Sequence, residues 1–117
     1  MNSLPAIVWV FTGLLLFLAV TCVAASRGAI RLNHLWGIRI RSVMRTDATW
    51  RAGHAAGVAP AAIAFVVALA CSVIGLAVPL VDLGAVVAFV SGVVAVVIRA
   101  SSAADRVTAA RSATSGS

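Results

Sequence analysis

The chain contains no lysine, only three acidic residues, and 10% charged residues in all. A soluble domain carries about 25% charged residues. With 117 residues, 62% of them hydrophobic, a water-soluble fold would leave large apolar patches uncovered. That excludes a soluble globular enzyme, and it excludes intrinsic disorder outside the chain ends. Cysteine is scarce too. Cys22 and Cys71 lie inside apolar runs, no CxxC pair exists, and His34 and His54 lie elsewhere in the chain. The expectation is two small apolar side chains and no metal site. No Ser/His/Asp set, carboxylate pair or phosphate-binding loop can be assembled, so neither catalysis nor a cofactor is expected.

What is abundant is long apolar sequence. Three runs, residues 5–25, 60–78 and 81–98, hold one charge between them, Asp82 at the start of the third. A helix rises about 1.5 Å per residue, so each run approaches or reaches the ~30 Å of a bilayer's hydrocarbon core. The fold expected is an all-α integral membrane protein with three transmembrane helices. No cation precedes the first run, and its apolar core is longer than that of a usual signal peptide, so it reads as a retained helix. The few residues around Pro79 force the second and third helices into a tight antiparallel hairpin. Residues 1–100 form one membrane domain, and 101–117 a cytoplasmic tail, helical at first and mobile at its end.

The net charge of +6 rests on nine arginines. Arg27, Arg31, Arg39, Arg41, Arg45 and Arg51 lie between the first and second spans, and Arg99, Arg106 and Arg111 follow the third. The positive-inside rule then predicts an outer N-terminus and a cytoplasmic C-terminus. Such a charge beside apolar runs points to anionic lipid headgroups as partners rather than to nucleic acid.

Residues 26–59 are too charged to cross the bilayer and too apolar to float free. They are expected to form an amphipathic segment on the inner interface, with Trp36 and Trp50 at the headgroup boundary. Thr46 is a helix N-cap and Asp47 suits the first turn. From there Trp50 and His54, four residues apart, share one face. Gly57 then loosens the chain and Pro60 opens the next helix. Residues 38–41 alternate like a strand, but a lone strand has no partner, so the stretch reads as irregular, with Gly37 permitting a turn.

These positions form a pattern: Asn33, three residues, then Gly37-Ile38-Arg39, then Met44, and Trp50 with His54. In this the chain resembles the SdpI/YhfL family of small bacterial membrane proteins over about residues 10–98. Ile40 stands where the family often has threonine. The family takes its name from an immunity protein that protects a producer cell from its own secreted peptide toxin and takes part in signalling. The resemblance implies an immunity, signalling or accessory-binding role in the bacterial inner membrane.

The candidate binding residues, for a partner or a lipid headgroup, are Asn33, Gly37, Arg39, Arg41, Trp50 and His54. Each has a plainer reading beside it. The arginines set topology, Asn33 bonds across helices or caps one, and His54 packs. Small residues at helical spacing, Ala64, Ala68 and Gly75 in the second span and Gly84, Ala88 and Gly92 in the third, are candidates for close helix packing. They serve either the hairpin within the chain or docking onto another membrane protein or a second copy. A structural accessory subunit of a larger membrane complex is the alternative function.

Overall fold

The computed structural model describes residues 3–33 and 37–115, so Trp36 and His34, and the end of the tail at Gly116 and Ser117, lie outside the described residues. Three long helices form an up-down-up bundle measuring 63 × 21 × 19 Å. They are α1 (Leu4–Ser26), α2 (Asp47–Gly75) and α3 (Asp82–Ser115). A single 3-10 turn, Pro79–Val81, links α2 to α3, and no strand occurs among the described residues. All three helices are long and apolar enough to cross a membrane. Val10, Val20, Ile63, Val66, Val87 and Val90 are among many large apolar side chains left exposed. Lipid, not water, is the solvent that tolerates such a surface. The protein is an all-α integral membrane protein.

The ends of the helices follow from local chemistry. Pro5 lies in the first turn of α1, where its missing N–H costs nothing. The helix stops at Gly28, whose φ of +84° suits a residue without a Cβ. Gly28 N–H donates to the Ala25 carbonyl at 3.2 Å and Ala29 N–H to the Ala24 carbonyl at 2.9 Å. This paired closure satisfies carbonyls that would otherwise be orphaned. At the start of α2, the Thr46 hydroxyl accepts from Thr49 N–H (3.1 Å), and Thr49 Oγ1 accepts from Thr46 N–H (2.9 Å). Thr46 is thus the N-cap that the sequence announces.

Two expectations change. α2 runs unbroken for 29 residues, through both Gly57 and Pro60. Gly57 does not loosen the chain. It is buried where the three helices meet, and a Cβ there would lie 3.1 Å from Cys22 Sγ and 3.2 Å from Val96 Cγ1. At ~1.5 Å per residue α2 is also longer than a bilayer core is thick. Its first turns therefore belong to the structure beyond the membrane span. The second change concerns the tail. α3 continues to Ser115, and Ala100 and Ala104 are fully buried.

The core has two parts. Toward the arginine-rich end, Cys22, Ala25, Ile38, Val43, Trp50, Ala61, Val96, Ala100 and Ala104 pack together. Toward the other end lie Val8, Leu15, Ala64, Ala68 and Ala85, with Phe65, Phe89 and Cys71 against them. The predicted stripes of small residues face each other inside the chain. A Cβ on Gly92 would collide with Ala64 Cβ, and one on Gly84 would lie 2.9 Å from Cys71 Sγ. Gly75 is pressed against the carboxylate of Asp82. Asp82, the one charge in the three apolar runs, is 2% exposed.

Candidate functional site

The described residues between α1 and α2 are irregular, as the lone alternation at 38–41 predicts, yet they are firmly held. Residues 40–44 make one helical turn, with Val43 and Met44 N–H donating to the Ile40 carbonyl at 3.1 and 3.0 Å. Thr49 Oγ1 lies 2.9 Å from the Val43 carbonyl and ties that turn to α2. The result is a cap folded over the arginine-rich end of the bundle, walled on one side by the extension of α3.

The centre of the cap is a clasp of Gly37, Ile38, Trp50 and His54. Trp50 is 1% exposed and His54 is fully buried. Their rings lie 4.3 Å apart at a tilt of 47°, which follows from their spacing of four on one helix face. Trp50 Nε1–H donates to the Ile30 carbonyl at 2.9 Å, across the loop that follows α1. Ile38 N–H donates to His54 Nε2 at 2.8 Å. A backbone N–H can only donate, so Nε2 is the unprotonated nitrogen. Nδ1 therefore carries the proton and donates to the Trp50 carbonyl at 2.7 Å. Burial pushes the His54 pKa below the usual histidine value, and the bond to the Trp50 carbonyl partly opposes that shift. The imidazole is thus a neutral strut with both nitrogens engaged.

Gly37 has a φ of +100°. A Cβ there would lie 2.7 Å from the Trp50 ring and 2.8 Å from His54 Nε2. No other residue fits without moving the clasp. Ile38 is thereby turned into the core, Ile40 packs against that core, and the arginines beside them turn out. Arg39 and Arg41 are both exposed. Arg39 borders a groove of about 290 Å³ between α1 and α3, lined by Leu18, Val93 and Val97. Asn33 Nδ2 donates to the Arg31 carbonyl at 2.7 Å, a bond within the loop.

The structure thus divides the residues singled out in the sequence. Gly37, Trp50 and His54 come together, and Arg39 and Arg41 flank them on the outside. The reading of Trp50 as a headgroup anchor is corrected, because its indole is buried in protein and its N–H is bonded to backbone. Trp50 and His54 are both buried, and their bonds to the Ile30 carbonyl and the Ile38 N–H hold the loop. Sequence reasoning missed Ala100 and Ala104. They continue the series Ala85, Gly92 and Val96 at helical spacing, a signal present in the chain. It missed Gly28 as well, although a glycine directly after a long apolar run is a helix stop signal. No family model matches the chain, and no curated protein or solved structure is significantly similar to it.

Proposed function

We propose that this is a non-catalytic bacterial inner-membrane protein with an immunity, signalling or accessory-binding role, exercised through the cap of residues 33–54. The observation that carries the reading is the Gly37 clasp. It commits Ile38 inward and leaves Arg39 and Arg41 outward, with Arg39 beside an apolar groove. A planar guanidinium at the mouth of an apolar channel suits an amphipathic peptide or a partner helix with a carboxylate. The resemblance of Asn33, Gly37-Ile38-Arg39, Met44, Trp50 and His54 to the SdpI/YhfL pattern supports the same reading. The engagement of both His54 nitrogens with the backbone supports a binding rather than an acid–base role.

The arginines gather at one end of the bundle, which supports a cytoplasmic cap and C-terminus with the N-terminus outside. Anionic headgroups on that side are natural partners for the basic end, with a membrane protein or a second copy as the protein partner. Nucleic acid has no place in this reading. The second reading is a structural subunit of a larger membrane complex. The extensive exposed apolar surface of the helices favours it. The packing of the small-residue stripes against one another within the chain weighs against it.

Two measurements separate the readings. Cells expressing the chain are challenged with secreted membrane-active peptides, beside cells expressing Arg39→Gln/Arg41→Gln. Protection that the double variant loses, at equal membrane level, supports the cap as a binding face. Absence of protection, with stoichiometric recovery of the chain in one large complex from mild detergent, supports the subunit. The orientation is tested by labelling a cysteine placed at Ser3 or at Ser112 in intact cells. Labelling at Ser112 and not at Ser3 would reverse it.

A further inference from the structure

The α1–α2 side of the bundle carries two cavities that lie apart from the groove beside Arg39. The first is an apolar groove of about 450 Å³ between the helices, lined by Val20, Val23, Val58 and Ala62 and bordered at its upper end by Arg27 and Ala29. The second is a polar hollow of about 380 Å³ lined by Gly28, Arg31, Asp47 and Arg51, with Trp50 among its walls. The loop after α1 joins them, because residues 27 and 29 border the groove while 28 and 31 border the hollow. On α2, Arg51, Val58 and Ala62 follow one another at intervals of seven and four, so they lie along one face. The groove therefore leads into the hollow.

The hollow is held open by the fold. Arg51 Nε donates to the Ser26 carbonyl at 3.3 Å, which draws its guanidinium toward the end of α1. Gly28 has no side chain to fill the space, and the Arg51 Cζ lies 3.8 Å from where a Cβ would stand. Arg27 and Arg31 are exposed on the same loop, and Asp47 is exposed on the first turn of α2. Three guanidiniums and one carboxylate leave a net charge of +2 at the head of an apolar channel.

We propose that this face binds a phospholipid whose headgroup is a phosphodiester bearing a free hydroxyl, such as phosphatidylglycerol. The acyl chain occupies the groove and the phosphate meets the arginines. Guanidinium and phosphate match in charge and in planar donor geometry. Asp47 is an acceptor only, and it takes a hydrogen bond from a headgroup hydroxyl. The net positive charge disfavours a zwitterionic lipid, whose ammonium has only Asp47 to meet. The inference rests on the membrane reading of the helices and not on the role proposed for Arg39 and Arg41.

The test is native mass spectrometry of the full chain, released from detergent with added lipid. Phosphatidylglycerol is expected to be retained about tenfold better than phosphatidylcholine of the same chain length. Arg31→Gln/Arg51→Gln should remove that preference, whereas Arg39→Gln/Arg41→Gln and Arg106→Gln/Arg111→Gln should keep it. Ala62→Trp, which fills the groove, should weaken both lipids. Asp47→Ala, which removes the acceptor, should lower retention of phosphatidylglycerol relative to phosphatidic acid, which has no headgroup alcohol. Equal retention of phosphatidylglycerol and phosphatidylcholine by the unaltered chain would overturn the proposal whatever the variants do. So would equal loss from the Arg106/Arg111 variant, because charge anywhere on the basic end would then suffice. A shift of the preference to the Arg39/Arg41 variant would assign the lipid to the cap's outer face instead.

Discussion

Around Trp50 the core is built from one large ring held by directed hydrogen bonds, and around Ala64 it is built from small side chains held by proximity. The reason lies in the solvent outside each. The cap meets water and headgroups, so burying an indole there stabilises the fold by removing apolar surface from water. The bundle meets lipid tails, which are as apolar as any side chain it could bury. Association there depends on close van der Waals contact, and Gly92 against Ala64 and Gly84 against Cys71 supply it. The cap core should therefore answer to the loss of bulk, and the membrane core to its addition.

Trp50→Ala should have the largest effect. Removing a buried aromatic ring costs about 3–5 kcal/mol. It also leaves the Ile30 carbonyl without its N–H donor, which adds about 1–3 kcal/mol if water does not replace it. The expected result is an opened cap on an intact bundle. Trypsin should then cut at Arg39, Arg41 and Arg45 far faster than in the parent chain, while far-ultraviolet ellipticity in detergent changes little. Loss of bundle helicity in step with cutting would mean that the two cores are one cooperative unit.

Gly92→Ala is the converse experiment. One added methyl meets Ala64 with no room to spare, so α2 and α3 must separate. Overpacking of this kind costs about 1–3 kcal/mol. The variant should unfold at lower dodecyl sulfate than the parent, and its cap should resist trypsin normally. An unchanged unfolding midpoint would show that the hairpin is not held by contact at this point.

Much of the bundle was legible because membrane spans are written in composition. The first run, 5–25, is within a residue of α1, and Thr46 and Asp47 mark the start of α2. The cap was legible only as a set of residues. Trp50 beside arginines has the same local pattern whether it faces headgroups or a protein core. Which one holds depends on Ile30 and Ile38, twenty and twelve residues earlier, folding back over it, and no short-range period encodes that return. Pro60 misled for a related reason. It carries the chemistry of a helix start, but Gly57 and Ala61 pack so closely against α1 and α3 that the helix continues through it. Gly37 was found as part of a pattern. Its physical necessity appeared only with the two rings that a Cβ would strike.

Acidification should separate the two cores without any mutation. His54 is neutral in the fold, and burial holds its pKa below the ordinary value near 6.5. The unfolded cap therefore binds a proton more readily than the folded one. Stability contributed by neutral His54 is complete above pH ~6.5 and falls as pH drops from there through the lowered folded-state value. Protonating Nε2 would expel the Ile38 N–H. Near-ultraviolet dichroism of the tryptophans, followed from pH 8 to pH 5 in detergent, should report loosening of the cap while bundle helicity holds. His54→Gln should abolish the slope. A slope that survives that substitution would assign it to another group.

The smallest expected effect tests whether the membrane core uses directed bonds at all. Thr12 Oγ1 and Ser72 Oγ lie 3.0 Å apart and join α1 to α2 through a buried hydrogen bond. Each hydroxyl also lies 2.8 Å from a carbonyl of its own helix, Val8 for Thr12 and Ala68 for Ser72. A hydroxyl has one proton, so at most one of the pair donates across while the other donates to its own helix. Thr12→Val nearly preserves shape and removes the bond, and it leaves Ser72 free to donate to the Ala68 carbonyl. Neither partner is then stranded, which is the condition that makes loss of a buried bond expensive. The change should be about 0.6 kcal/mol, as for interhelical bonds in other membrane bundles. Dodecyl sulfate unfolding of Thr12→Val, Ser72→Ala and the pair in a double-mutant cycle measures it. A coupling above about 2 kcal/mol would exceed the upper range for such bonds. The membrane core would then be specified by hydrogen bonding as the cap is, and the contrast between the two would fail.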